Sequence, residues 1–170
     1  MANYKGHIAG GLAAGVVFAS VLMYAPITYF AEIAGVLHGW EAIAAVFVLS
    51  MLFGLFPDVD TNSKAQDIFL GTAFIVDVVL VVTGRIQAAA YLGLVAMLPI
   101  VTHHRGWTHT KWAMFVVPLP ILLVPYFYNN AILPASIVYY GAAVAGYFSH
   151  LLLDGLIWRR IRVKGGYWGS

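Results

Sequence analysis

An all-α polytopic transmembrane bundle of about six spans, with both termini on the cytoplasmic side, is the fold class this sequence predicts. Three observations predict it. Of the 170 residues, 62% are hydrophobic and only 9% charged, with mean hydropathy +0.86, whereas soluble domains carry roughly 25% charged residues. The apolar residues fall into long runs separated by short polar clusters. Threading those runs back and forth across a bilayer puts every lysine and arginine except Arg85 on one side.

The length fits a single domain, residues 1–170. Cysteine is absent, which excludes a disulfide framework, a thiolate metal site and a cysteine nucleophile. Any metal is therefore held by imidazole and carboxylate. The net charge is only +2, and its cations are scattered, so no nucleic-acid surface is expected.

A bilayer core needs roughly 20 apolar residues per helix. Ile8–Phe30 meets that length. It is too long for the apolar part of a signal peptide, no small-residue cleavage site follows, and it reads as a retained first span. Gly11 and Gly15 within it predict close helix packing. The second span is Leu37–Phe56, with Glu41 near its start and Pro57 to stop it. Ile68–Thr83, carrying Asp77, and Ile86–Thr102 follow. Trp112–Phe127 holds Pro118, Pro120 and Pro125 and should be kinked or partly unwound. Ala131–Leu153 is the last span, and again long enough to cross. The middle segments are lean, so four spans plus re-entrant pieces is the alternative topology. Residues 154–170 mix arginines with tryptophan and tyrosine and suit the head-group layer as an anchor.

An acid inside a span calls for a partner. For Asp77 the expectation is a structural pair with Arg85, or a neutral hydrogen-bonded acid. Glu32 and Glu41 read as solvated charges on the outer rim.

The remaining polar residues cluster. His7 precedes span one. Pro57-Asp58-Val59-Asp60 ends span two. His103-His104-Arg105-Gly106-Trp107-Thr108-His109 links spans four and five, and His150 with Asp154 ends span six. The topology puts all of them on the cytoplasmic side and leaves only His38 among the histidines outside. Each cluster also has a plainer reading: a lone surface histidine, a solvated turn, a cationic loop, a helix-end capping pair. Convergence on one face favours a metal site over these. His150 and Asp154 share one helix face, as a chelating pair or as a histidine oriented by a carboxylate. Asp58 and Asp60 in a turn can bind or bridge hard divalent ions. Neutral imidazole ligates zinc, manganese or iron, and Arg105 offers a fork of donors for phosphate or carboxylate. Gly106 permits the turn that would bring His109 back, Lys111 adds a point charge, and Trp107 reads as an interfacial anchor.

These motifs, with Thr-His-His-Arg-Gly-Trp-Thr-His the most specific and Gly146-Tyr147-Phe148-Ser149-His150-Leu151-Leu152-Leu153-Asp154 next, resemble the bacterial membrane-bound metal-dependent hydrolases, the YdjM-like inner-membrane proteins. The resemblance runs from His7 to Asp154. It implies that His7, Asp58, Asp60, His104, Arg105, His109, His150 and Asp154 occupy the family's polar positions, with His103 an extra neighbour. A looser similarity links His150 and Asp154 to the closing motif of membrane phosphatidic-acid phosphatases, whose other motifs are absent here.

The expected function is a metal-dependent hydrolase at the cytoplasmic face of the inner membrane. Its substrate would be a lipid or a lipid-linked phosphoester or ester, cleaved by metal-activated water. His7, Asp58, Asp60, His104, His109, His150 and Asp154 would hold one or two divalent ions, zinc first, with manganese or iron as alternatives. Asp60 would serve as ligand or base, Arg105 would stabilise developing charge, and Arg105, Lys111 and His103 would hold substrate. The rival is a divalent metal transporter or metal-responsive membrane protein, which would need ligands along a path through the bilayer. A structural protein whose polar loops bind a cytoplasmic partner is the third reading.

Overall fold

The computed structural model describes residues 3–24, 35–60, 64–101, 107–128 and 132–157. Among the described residues all regular structure is helical. Helix α1, Tyr4–Tyr24, begins at Asn3. The Gly6 N–H donates to Asn3 Oδ1 at 3.0 Å and the His7 N–H to the Asn3 carbonyl at 3.1 Å. This cap satisfies donors that a helix start leaves open. It also fixes His7 one turn into the helix.

A 3-10 turn, Gly35–His38, precedes α2, Trp40–Leu55. Pro57 lacks an N–H to continue that helix, and the chain tightens into a 3-10 turn over Phe56–Asp60. Helix α3, Lys64–Val82, and α4, Ile86–Val101, are joined at Gly84, whose φ is +77°. Its left-handed backbone lets Arg85 N–H donate to Leu80 O at 2.8 Å and Gly84 N–H to Val81 O at 3.0 Å. That pattern closes a helix and suits glycine.

The proline-bearing segment is broken, as its sequence predicts. Helix α5, Ala113–Val116, and α6, Pro120–Tyr128, flank a tight turn. In that turn Leu119 and Ile121 each bond three residues back, at 3.2 and 3.0 Å. Helix α7, Leu133–Leu153, starts with proline in its first turn and stops at Asp154. Gly155, φ +69°, repeats the closing pattern of Gly84 there.

Helices α1, α2 and α7 form the centre of the bundle, and small residues set their spacing. A Cβ on Gly11 would lie 2.7 Å from the Ser50 carbonyl oxygen, and one on Gly54 3.2 Å from the Gly11 Cα. Gly15 abuts Phe47 and Ser50 equally tightly. Ser50 Oγ donates across to the Ala142 carbonyl at 3.0 Å. Lipid supplies no hydrophobic force between helices, so backbone approach and such polar links hold them. Helices α3 and α4 pack on each other and reach the centre through the Phe56–Asp60 turn. Phe56 is the buried hinge of that contact, with ring centroids 5.8 Å from Phe53, 5.6 Å from Phe69 and 6.1 Å from Tyr147. Large apolar side chains, among them Val17, Val21, Phe74, Ile75 and Val82, face outward, as a hydrocarbon surrounding allows.

Among the described residues four helices are long and apolar enough to cross a membrane: Tyr4–Tyr24, Trp40–Val59, Lys64–Val82 and Leu133–Leu153. The other two expected spans form shorter helices. Ile86–Val101 has 16 residues, and the Ala113–Phe127 stretch is interrupted at its prolines. Part of the first expected span, residues 25–30, and the anchor sequence beyond Ile157 lie outside the described residues.

The expected pairing of Asp77 with Arg85 is not formed. The turn at Gly84 carries Arg85 toward the start of α2, where its Nη2 meets Glu41 Oε2 at 3.1 Å. Asp77 Oδ1 is buried with no hydrogen-bond partner among the described residues. Glu41 is exposed, as expected of the rim, but it is paired.

Candidate metal centre at one end of the bundle

Five of the expected residues meet at the end of the bundle opposite Glu41 and Arg85. Each arrives by a local rule. His7 sits just past the Asn3 cap of α1. Asp58 follows the proline that stops α2. His109 follows Thr108 in the turn before α5. His150 and Asp154 lie one turn apart at the end of α7, where Gly155 halts the helix. The Lys64 ammonium, at the start of α3, lies 6.0 Å from the Tyr4 ring centroid at the same end.

His7 Nε2 stands 3.7 Å from Asp58 Oδ2 and 3.6 Å from Asp154 Oδ1. His150 Nε2 stands 3.6 Å from Asp58 Oδ1 and 3.7 Å from Asp154 Oδ2. His109 Nε2 is 3.4 Å from Asp58 Oδ1. Two triads emerge, His7–His150–Asp154 and Asp58–His109–His150, each with its ligand-type atoms within 4.8 Å of one another. His150 belongs to both.

The inner side of the cluster is dry. His7 and His150 are buried at 1% and 0% exposure, and Asp154 is buried beside them. Asp58 and His109 keep 26% and 20% exposure and form the open side. Neither ring nitrogen of His7, nor Nε2 of His150, has a hydrogen-bond partner among the described residues. Buried polar atoms left this way cost free energy, on the order of 1–3 kcal/mol each, unless something satisfies them.

His150 is held in one orientation. Its Nδ1 lies 2.8 Å from the Gly54 carbonyl, which can only accept, so Nδ1 carries a hydrogen, and in the neutral ring Nε2 is the lone-pair nitrogen on the carboxylate side. This is the arrangement of a metal-ligating histidine, one nitrogen tied to a carbonyl and the other free. The distances fit the same purpose. Ligand atoms at about 2.0–2.2 Å from a tetrahedral ion stand about 3.3–3.6 Å from each other. The donor set of three imidazoles and two carboxylates is one that zinc, manganese or iron accepts. Each of the two triads is a group that could hold a divalent ion.

His103, His104, Arg105 and the side chain of Asp60 lie outside the described residues. Lys111 is exposed two positions beyond His109. Trp107 does not take the anchoring place expected of it; it packs against the core, and the exposed tryptophan here is Trp112.

The sequence reading left three contributors without a role. Gly54 provides the carbonyl for His150. Thr108 is fully buried between the Phe56–Asp60 turn and the His109 ring, and Tyr147 donates its hydroxyl to the Thr108 carbonyl. Thr108 and Tyr147 fall inside the two most specific motifs, which is a signal. Gly54 acts through its backbone alone, and no side-chain pattern marks that.

A family model described as YdjM inner membrane protein matches residues 1–162. No curated protein and no solved structure matches the chain.

Proposed function

The chain belongs to the YdjM inner membrane protein family, and from that premise we propose that it is a metal-dependent hydrolase acting at the cytoplasmic face of the membrane on a phosphoester or ester of a lipid or lipid-linked substrate. The observation that carries the reading is the pair of buried Nε2 atoms of His7 and His150, which have no hydrogen-bond partner among the described residues and stand 3.6–3.7 Å from carboxylate oxygens of Asp58 and Asp154. An apolar bundle would not retain such a cluster without an occupant to satisfy it.

His7, Asp58, His109, His150 and Asp154 would hold a divalent ion, with zinc the first candidate and manganese or iron the alternatives. When bound, such an ion supplies Lewis acidity and a lowered pKa for water in its shell. The protein supplies the rest. Gly54 keeps the His150 lone pair on the centre. The buried side formed by His7, His150 and Asp154 excludes bulk water, and the open side at Asp58 and His109 admits substrate. Arg105, four residues before His109, would bind a phosphate or carboxylate and stabilise its developing charge. Asp60 would accept the proton as water attacks and the ester bond to the leaving group breaks. Exposed Trp112 and Lys111 beside the open edge suit an approach from the head-group layer.

Both termini cytoplasmic, six traverses and a multi-pass chain belong to this same proposal, supported by the placement of every lysine and arginine but Arg85. Clustering of the ligand-type residues at one end, with Asp77 alone deep, favours hydrolysis over transport.

The test is metal content and phosphate release together. Detergent-purified protein should carry stoichiometric metal after dialysis against zinc or manganese and should hydrolyse lipid phosphoesters, and His150→Ala should lose both. A wild type that stays metal-free would sink the centre. One that binds metal but cleaves neither phosphoesters nor carboxyl esters would sink the hydrolase while sparing the centre.

A further inference from the structure

We propose that the centre takes two divalent ions rather than one, with His7 ligating the first, His150 the second, and Asp58 and Asp154 bridging the pair. The inference rests on the metal reading above and adds to it the number of ions and the place of each ring.

The histidine stack speaks against a shared ion. The His7 and His150 rings lie 3.8 Å apart between centroids, with planes inclined by only 17°. A ring nitrogen binds a metal through a lone pair lying in the ring plane, so two rings that serve one ion need planes that cross at it. Planes this far apart and this nearly parallel do not cross within a metal–nitrogen bond of about 2.0–2.1 Å. An ion midway between them would lie off both lone pairs. Both Nε2 atoms face the same two carboxylates, so the rings point side by side and each addresses its own position.

The carboxylates repeat that division. Asp58 approaches His7 Nε2 with Oδ2, at 3.7 Å, and His150 Nε2 with Oδ1, at 3.6 Å. Asp154 approaches His7 Nε2 with Oδ1, at 3.6 Å, and His150 Nε2 with Oδ2, at 3.7 Å. Each acid thus gives one oxygen to each ring. The His150 side also has His109, whose Nε2 is 3.4 Å from Asp58 Oδ1. Paired metal ions bridged in enzymes stand about 3.5–4 Å apart, and the ring spacing falls in that range. Burial points the same way. Both rings are buried, and neither Nε2 has a hydrogen-bond partner among the described residues. Each of the two nitrogens therefore calls for an occupant of its own.

The experiment counts the ions and asks whether they are coupled. Detergent-purified protein is stripped with EDTA and reloaded with zinc for elemental analysis, or with manganese for electron paramagnetic resonance. The expected result is two zinc ions per chain and a spin-coupled manganese signal in place of that of isolated ions. Asp154→Asn should abolish the coupled signal, because an amide has a single acceptor oxygen and cannot bridge. Asp58→Asn, at the more open carboxylate, repeats the test should the buried variant fail to fold. One zinc per chain with an isolated manganese signal overturns the proposal and spares the metal reading. Two ions without coupling overturn it as well, since they would be bound apart. So does a coupled pair that survives both asparagine variants. A wild type that binds neither metal overturns the metal reading and the pair together.

Discussion

His7, in the second turn of the first helix, and His150, in the last turn of the last, stack face to face with ring centroids 3.8 Å apart and planes inclined by 17°. The stack turns both Nε2 atoms toward the same two carboxylates, Asp58 and Asp154. Two rings from opposite ends of the chain thereby act as one wall of the site.

Removing either ring should empty the centre. His7→Ala and His150→Ala are each expected to lower zinc or manganese content to background, while His38→Ala, at the other end of the bundle, keeps the wild-type content. Elemental analysis of purified protein decides it. Retention of metal by both site variants would mean that the wall is structural only.

Close approach of α2 and α7 should make one glycine irreplaceable and another dispensable. A Cβ on Gly146 would lie 2.0 Å from the Ser50 carbonyl oxygen, a backbone atom that cannot swing aside. Gly146→Ala should destabilise by about 3 kcal/mol, the upper end of overpacking costs, or prevent folding. Nothing lies within 4 Å of a Cβ on Gly71 in α3. Gly71→Ala should be neutral or stabilise by up to about 1 kcal/mol through helix propensity. Thermal melts in detergent compare the two, and equal losses would contradict the packing described.

The Arg85–Glu41 pair should matter little to stability. Both side chains are more than half exposed, at 62% and 58%. A double-mutant cycle with Arg85→Ala and Glu41→Ala should give a coupling below about 1 kcal/mol, falling with salt. A larger, salt-insensitive coupling would place the pair in a low-dielectric surrounding.

Orientation can be read with single cysteines, because the chain has none of its own. Arg85→Cys should react with a membrane-impermeant thiol reagent in intact spheroplasts. Lys111→Cys, beside the centre, should react only after permeabilisation. The reverse pattern would put the site on the outer side of the membrane.

Much of the fold is legible in the residues because its causes are local. Apolar runs, the stop at Pro57 and the break at Pro118, Pro120 and Pro125 each act within a few residues. Periodic threading of the runs then brings His7, Asp58, His109, His150 and Asp154 to one end without any knowledge of contacts. The partner of Arg85 is not legible in the same way. Distance along the chain suggests Asp77, but the turn at Gly84 hands the guanidinium to another helix. Trp107 likewise packs against the core through tertiary contacts that its residue type does not announce.

Hydropathy, charge placement and the His/Asp motifs were therefore enough to make this an all-helical membrane protein with ligand-type residues gathered at one end. They could not decide the register of α1, α2 and α7 at Gly11, Gly54 and Gly146, nor the stacking of His7 on His150, nor the meeting of the Gly54 carbonyl with the His150 ring. Those depend on backbone carbonyls and on helix separations set by packing. A carbonyl looks the same at every position of a sequence and gains a role only where the fold brings a donor to it.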